Sequence, residues 1–496
     1  MSTRAKLTDD IVFCILNRAT TDISNGLQQW KKSLYVLAVC RQWRALGKFI
    51  LYSWGFVGGK SKPYKLADVP TNLELTHAIG SSVYVKTIII THKDTYSAQE
   101  LLLCVRDALS LRQPPWFNIK CIRITSHFAS HALSTRTLVD SEAAYIDNVV
   151  QTVQKAIPKL QVLDISAIRT DAAICRFSTQ LVHNYIAQLN HFIYTGFPFK
   201  STLCHAQQLK TLYLYLTKAQ PSPNIIFNPT RIKSMCLNNV SASYRWDNFA
   251  HTQGQLVFND LEHLTLACTG LSAQLISTGA AHNIHSIPTP SFPRITRLTL
   301  SGICIEQSLL ERMLRPPLKC LEISWWLFDF KRLNILDLRF LDTLKIWHNL
   351  NSDSNYINFF DTTNSIFSMA KGVRLVQLSL YTVPESIQWK HAQWSHLTRL
   401  HLDLTTTLYY LFNMVPMFTG LWELKIGRLR MPTEEECADP DTYLPGLKLK
   451  MRPSASKIKN LLIEFRPQFS PEYTNKVVAM LRWYMPMLVL VSIPSD

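Results

Sequence analysis

The sequence predicts an α/β solenoid, a parallel sheet plus helices made by stacking one small unit, preceded by a small all-helical module. Three observations predict it: an apolar pattern that recurs along most of the chain, helix-patterned segments between its copies, and a separate amphipathic stretch near the N-terminus.

The recurrent pattern is an apolar residue, two others, an apolar residue, one other, and an apolar residue. Its copies begin at Leu160, Leu209, Ile232, Leu261, Ile295, Leu318, Leu341, Leu375, Leu397, Leu421 and Ile458. Leu209-Lys-Thr-Leu212-Tyr-Leu214 and Leu341-Asp-Thr-Leu344-Lys-Ile346 show it in full, and weaker copies begin at Val85, Ile119, Leu189 and Met485. Alternating apolar residues make one face of a short strand. One strand and its following helix cannot cover that face alone, whereas stacked copies bury a continuous core. The segments Ser97–Leu111, Ala143–Ile157, Phe177–Leu189 and Tyr473–Tyr484 carry apolar residues at helical spacing, and Pro158, Pro198 and Pro486 help to stop them. Ala267–Phe292 reads as a long loop and Glu434–Asp441 as an acidic one.

Residues between the strand leucines point away from the core. Those include Thr211, Tyr213, Tyr215, Arg297, Thr299, Glu322, Ser324, Lys345, Trp347, Gln377, Tyr381, Arg399, His401, Asp403, Glu423 and Lys425. Aromatic and arginine side chains on a rigid face are the usual anchors of protein recognition, so Tyr213, Tyr215, Trp347, Tyr381, Arg399 and His401 are the expected target-binding residues. The partner itself is not named by the sequence.

In the N-terminal stretch, Thr8 or Asp9 suits the N-cap of a helix to Ala19, with Leu7, Ile11, Ile15 and Leu16 as its apolar stripe. After a polar insert, Leu34, Leu37, Val39, Trp43, Leu46, Ile50 and Leu51 recur at helical spacing. Gly58-Gly59-Lys60-Ser61-Lys62-Pro63 reads as a linker. The expected organisation is a helical module over 1–54, a linker over 55–82 and a solenoid with its C-terminal cap over 83–496.

The repeated pattern resembles leucine-rich repeats, over roughly residues 83–493. The asparagine that usually follows the last strand leucine occurs clearly only as Asn349, and repeat lengths vary. Leu7, Asp9, Asp10, Ile15, Leu16 and the run Leu37-Ala-Val39-Cys40-Arg41-Gln-Trp43 resemble an F-box, as in fungal proteins that join F-box-like heads to irregular repeats. Thr8 stands where that family usually has Pro, and the insert lengthens the helix connection. The resemblance implies a non-enzymatic adaptor whose head binds a Skp-type adaptor of a cullin–RING ubiquitin ligase through Leu7, Ile11, Ile15, Leu16, Leu34, Leu37, Val39 and Trp43. Two other readings stay open: a scaffold whose head only caps the solenoid, and a basic nucleic-acid-binding protein.

Composition narrows the function classes. The net charge is +17, and residues 1–65 hold 11 Lys and Arg against 3 Asp and Glu. That concentration suits an acidic protein partner or nucleic acid. No single-sign stripe runs along the outward strand residues, which favours protein. The 11 cysteines are dispersed with no paired spacing, and His127 and His131 lack a third ligand nearby, so no metal site or cofactor is expected. No nucleophile elbow or zinc-protease motif occurs, and Gly55 to Ser61 only faintly approaches a phosphate loop, so no catalytic residue is expected. With a charged N-terminus and no long apolar run, the expectation is an intracellular chain, in cytoplasm or nucleus, without membrane contact.

Overall fold

A computed structural model describes residues 8–20, 27–58, 71–93, 97–111, 116–127, 138–167, 171–196, 204–220, 225–240, 246, 249–250, 255–267, 290–301, 318–324, 341–348, 373–380, 394–430, 440–464 and 471–492. They fall into two compact units. Unit 1 is Met1–Asp260 with Ala281–Pro290, and unit 2 is Leu261–Ala280 with Ser291–Asp496.

In unit 1, β1 (Trp54–Gly58), β2 (Thr87–Lys93), β3 (Cys121–His127), β4 (Val162–Ala167) and β5 (His191–Gly196) pair in chain order, followed by Thr211–Gln220 and Ser234–Val240. Every pair is parallel. The register lines up Ile88, Ile122, Leu163, Phe192, Leu212 and Met235, and beside them Ile90, Ile124, Ile165, Tyr194, Leu214 and Leu237. All twelve are buried. Each such side chain contributes about 1.5–3 kcal/mol when fully buried, so the ladders are the main stabilising element. Between the strands lie α5 (Ala98–Ser110), α6 (Asp140–Ala156) and α7 (Ala172–Tyr185), each packed on the next. Ser97 and Glu100 close a capping box on the first of these helices, and Asp171 caps the last by accepting from the Ala173 N–H at 2.7 Å. All three fall within a few residues of the helices expected from periodicity.

The head comprises α1 (Asp9–Ala19), α2 (Leu27–Ser33), a 3-10 turn at Leu34–Ala38 and α3 (Arg41–Leu51). Its core is Val12, Leu16, Trp30, Val36, Ile50, Leu51 and Tyr52, completed by Phe56 and Ile89. Phe56 and Ile89 are register partners on β1 and β2, on the face opposite the buried ladders. The head therefore packs on the outward face of the first two strands. This corrects the expected linker over 55–82: Gly55–Gly58 belong to the sheet, and Leu73–Ala78 forms a short helix, α4. The Asn72 amide accepts from the Phe56 N–H at 2.7 Å and donates to the Trp54 carbonyl at 2.9 Å, which ties the two pieces together.

Among the described residues of unit 2, nine parallel strands again follow chain order: His263–Ala267, Arg297–Ser301, Cys320–Ser324, Thr343–His348, Leu375–Leu380, Arg399–Thr406, Glu423–Leu429, Asn460–Ile463 and Leu490–Ser492. Leu264, Leu298, Leu321 and Leu344 form one buried ladder. The next rung corrects the sequence reading: Leu344 lies opposite Val376 rather than Leu378, which instead faces Ile346. A two-residue slip keeps every side chain on its own face, because the strand period is two. The last copy also differs, since Leu461 faces Val491 while Leu490 is exposed. Helices Leu408–Met414, Pro440–Lys450 and Pro471–Tyr484 complete the described part of this unit. The expected long loop lies outside the described residues across 268–289. The acidic loop does so across 434–439, as do Asn349 and His131.

Candidate functional site

Two surfaces carry the expected binding residues. The first is on the head. Thr8 and the first-turn acids Asp9 and Asp10 start α1, and Asp9 Oδ1 accepts from Gln42 Nε2 at 2.6 Å, linking α1 to α3. Val12 and Leu16 turn inward, while Ile11, Phe13 and Ile15 stand 49%, 43% and 40% exposed. Val39, Tyr35 and Phe49 are more exposed still. Leu34, Leu37 and Trp43 are half-buried against the head core. The Cys40 thiol caps α3 by accepting from the Trp43 N–H at 3.5 Å, and Arg44 Nε donates to the Leu37 carbonyl at 3.1 Å.

Of the eight residues expected to touch an adaptor, Ile11, Ile15 and Val39 are thus freely exposed. Leu16 is a correction: it is fully buried and can only support that surface from within. Leu7 lies outside the described residues. Phe13, Tyr35 and Phe49 are exposed as well; α1 is apolar on both sides, so periodicity alone does not say that Phe13 faces outward. Arg18, Lys32, Arg41, Arg44 and Lys48 of the head are exposed too.

The second surface is the outward strand face, taken in each unit separately. In unit 1, Arg123 Nε donates to Asp164 Oδ2 at 2.7 Å. Tyr213 and Tyr215 are half-buried, their rings edge to face at 6.4 Å, and the Tyr213 hydroxyl lies 3.0 Å from that of Ser234. Burial, aided by Cys236, pushes the Tyr215 phenol far above its ordinary range. A separate hollow in this unit is lined by His205, Gln207, Asn228, Thr230, Gln255 and Asn259, with no Asp, Glu, Lys or Arg.

In unit 2, Trp347, Ser379 and His401 stand in register on three neighbouring strands, and so do Lys345, Gln377 and Arg399. The Arg399 guanidinium lies 4.7 Å over the Trp422 ring, with Nε 3.7 Å from Glu423 Oε1. His401 Nε2 is 3.6 Å from the same oxygen, and Nδ1 is 3.3 Å from Gln377 Nε2. Burial pushes the imidazole below its ordinary value, with Glu423 pulling the other way. Tyr381 lies outside the described residues.

Among the described residues no group of three or more His, Cys, Asp or Glu side chains could hold a metal ion, and no helix is long and apolar enough to cross a membrane. In comparisons with known proteins, no family model matches the chain and no curated protein matches it significantly.

Proposed function

We propose that the chain is a non-enzymatic recognition adaptor. Its head docks a Skp-type adaptor of a cullin–RING ubiquitin ligase, and its outward strand residues, in leucine-rich-repeat fashion, bind a protein target. The observation that carries the reading is α1, which buries Val12 and Leu16 yet leaves Ile11 and Ile15 exposed one turn apart on one flank, with Phe13 exposed on the other. Exposed apolar side chains on a head rich in Lys and Arg suit a partner that offers both apolar and acidic groups.

The test uses the full chain, because Phe56 and Ile89 complete the head core. A Skp-type adaptor should be captured by the wild-type chain. Ile11→Asp with Ile15→Asp should abolish capture while the melting temperature stays unchanged. Failure of the wild-type chain to capture the adaptor, or capture by the double variant, overturns the reading.

The junction of head and sheet favours a second reading, in which the helices only cap the first strands. Under it, the Asp substitutions leave all partner binding intact, and only core changes such as Leu16→Ala have an effect, on stability. The basic head also keeps nucleic acid as a rival partner. A complex that weakens steeply with added salt would be its signature.

A further inference from the structure

The outward strand residues mix their charges, but the turns that lead into the strands of unit 1 do not. Residues 83–87, 116–121, 157–162, 187–191, 207–211 and 229–234 contain six Lys and Arg and no Asp or Glu. The six are Lys86, Lys120, Lys159, Lys210, Arg231 and Lys233, and all are exposed. Among the described residues none of them is ion-paired with a carboxylate. The repeat itself does not require this. In unit 2 the equivalent turns carry Glu262 and Asp342 as well as Arg294, Lys319 and Arg374. In unit 1 the run of one sign stops at Asp260, on the next turn.

The backbone fixes the spacing of these charges. The Lys120 N–H donates to the Lys86 carbonyl at 2.9 Å and Gln161 to Lys120 at 2.9 Å. Asn190 donates to Gln161, Lys210 to Asn190 and Lys233 to Lys210, each at 2.8 Å. One such step is one strand spacing, so the ladder from Lys86 to Lys233 covers about 24 Å. Lysines occupy both of its ends, and the two members between them, Gln161 and Asn190, are neutral amides. Lys159 and Arg231, each two residues before a ladder member, widen the row.

The chemistry of the row selects its partner. Lysine is depleted from protein–protein contacts, and the exposed large apolar residues on these turns are Val83 and Phe117. The Phe117 ring already has the Lys159 ammonium 5.7 Å over it, so it is no open platform for an unstacked base. An exposed row of cations without carboxylates is the electrostatic footprint of a phosphate backbone. A duplex offers the densest one, with about one charge per 1.7 Å of axis, and about seven base pairs match the length of the ladder.

We infer that this edge of unit 1 binds the phosphate backbone of a nucleic-acid duplex without reading its sequence. The surface is distinct from the exposed apolar residues of the head, and the inference does not rest on the adaptor reading.

The test titrates the full chain into two short fluorescein-labelled DNA duplexes of unrelated sequence, read by anisotropy from low to high salt. Both should bind alike and weaken steeply as salt rises. Lys120→Gln with Lys210→Gln and Lys233→Gln should weaken binding at low salt by about tenfold or more, and should reduce the slope of log K against log salt by about 2–3. A basic head would give the same salt signature, so a head variant separates the two. Arg18→Gln with Lys32→Gln and Arg41→Gln, equal in charge, should leave affinity and slope nearly unchanged. If the triple variant of the edge melts early, Lys86→Gln with Lys159→Gln carries the comparison. No complex at low salt, an equal loss in the head variant, an unchanged slope in the edge variant or tighter binding of a single strand overturns the inference. So does competition by a glutamate-rich peptide as strong as that by unlabelled duplex.

Discussion

The indole N–H of Trp30 donates to the carbonyl oxygen of Leu51 at 2.7 Å, across 21 residues and inside the head core. That carbonyl belongs to the last turn of α3, where no further helical N–H can reach it. The contact thus satisfies a buried acceptor and pins α2 to the end of α3 at once. Trp30→Phe keeps most of the volume but removes the donor, and should cost about 1–3 kcal/mol. Trp30→Ala also opens a cavity and should cost about 3–5 kcal/mol. Chemical denaturation of the full chain measures both, and a Trp30→Phe variant as stable as the wild type would show that packing alone matters here.

Gly420 and Gly446 should respond to alanine in opposite directions. A Cβ at Gly420 would collide with the carbonyl oxygen of Ser395, a backbone atom that cannot swing aside. A Cβ at Gly446 would meet nothing, and that residue lies within the helix Pro440–Lys450. Gly446→Ala should stabilise by about 0.5–1 kcal/mol, while Gly420→Ala should destabilise by about 1–3 kcal/mol. Melting temperatures of the two single variants decide it.

His401 should make stability depend on pH. Arg399, Lys425 and Glu423 face it, but burial dominates and holds its folded pKa below the ordinary value. The unfolded chain then binds the proton more tightly. Stability is full above about pH 6.5 and is lost as pH falls through that value toward the folded pKa. His401→Gln removes this loss, so its melting temperature should fall less between neutral and mildly acidic buffer than that of the wild-type chain. Parallel curves for the two proteins would count against the assignment.

Thiol reactivity should follow burial. Cys14 and Cys40 are exposed, whereas burial pushes the Cys121 thiol up to about 11 and also raises Cys236. A short iodoacetamide pulse at neutral pH, read by mass spectrometry, should mark Cys14 and Cys40 before Cys121 and Cys236. Early labelling of Cys236 would mean that the strand Ser234–Val240 opens readily.

Alternation made the buried ladders legible, because Leu212 and Leu214 differ from Thr211, Tyr213 and Tyr215 in the one property that decides facing. It did not reveal β1, where Gly55 and Gly58 lower strand propensity. Gly55 is needed there, since a Cβ would press on the Leu73 side chain. At Leu375–Leu380 two apolar sets fit the same pattern, Leu378 with Leu380 and Val376 with Leu378; the pairing with Thr343–His348 uses the second and the pairing with Arg399–Thr406 the first, which only the neighbouring strands decide. The outward positions of Arg399 and His401 were legible for the same reason as the ladders. Their shared contact with Glu423 was not, because it depends on which strand lies alongside.

Within each unit every long strand pairs only with strands adjacent in chain order, and this has a mechanical consequence. The last strand of unit 2, Leu490–Ser492, is held by a register of three residues to Asn460–Leu462. Tension applied at the C-terminus meets that short seam first and the longer one between Glu423–Leu429 and Asn460–Ile463 only afterwards. The chain should therefore unravel from its C-terminus in small steps, each releasing one strand with the segment before it, rather than rupturing in a single event.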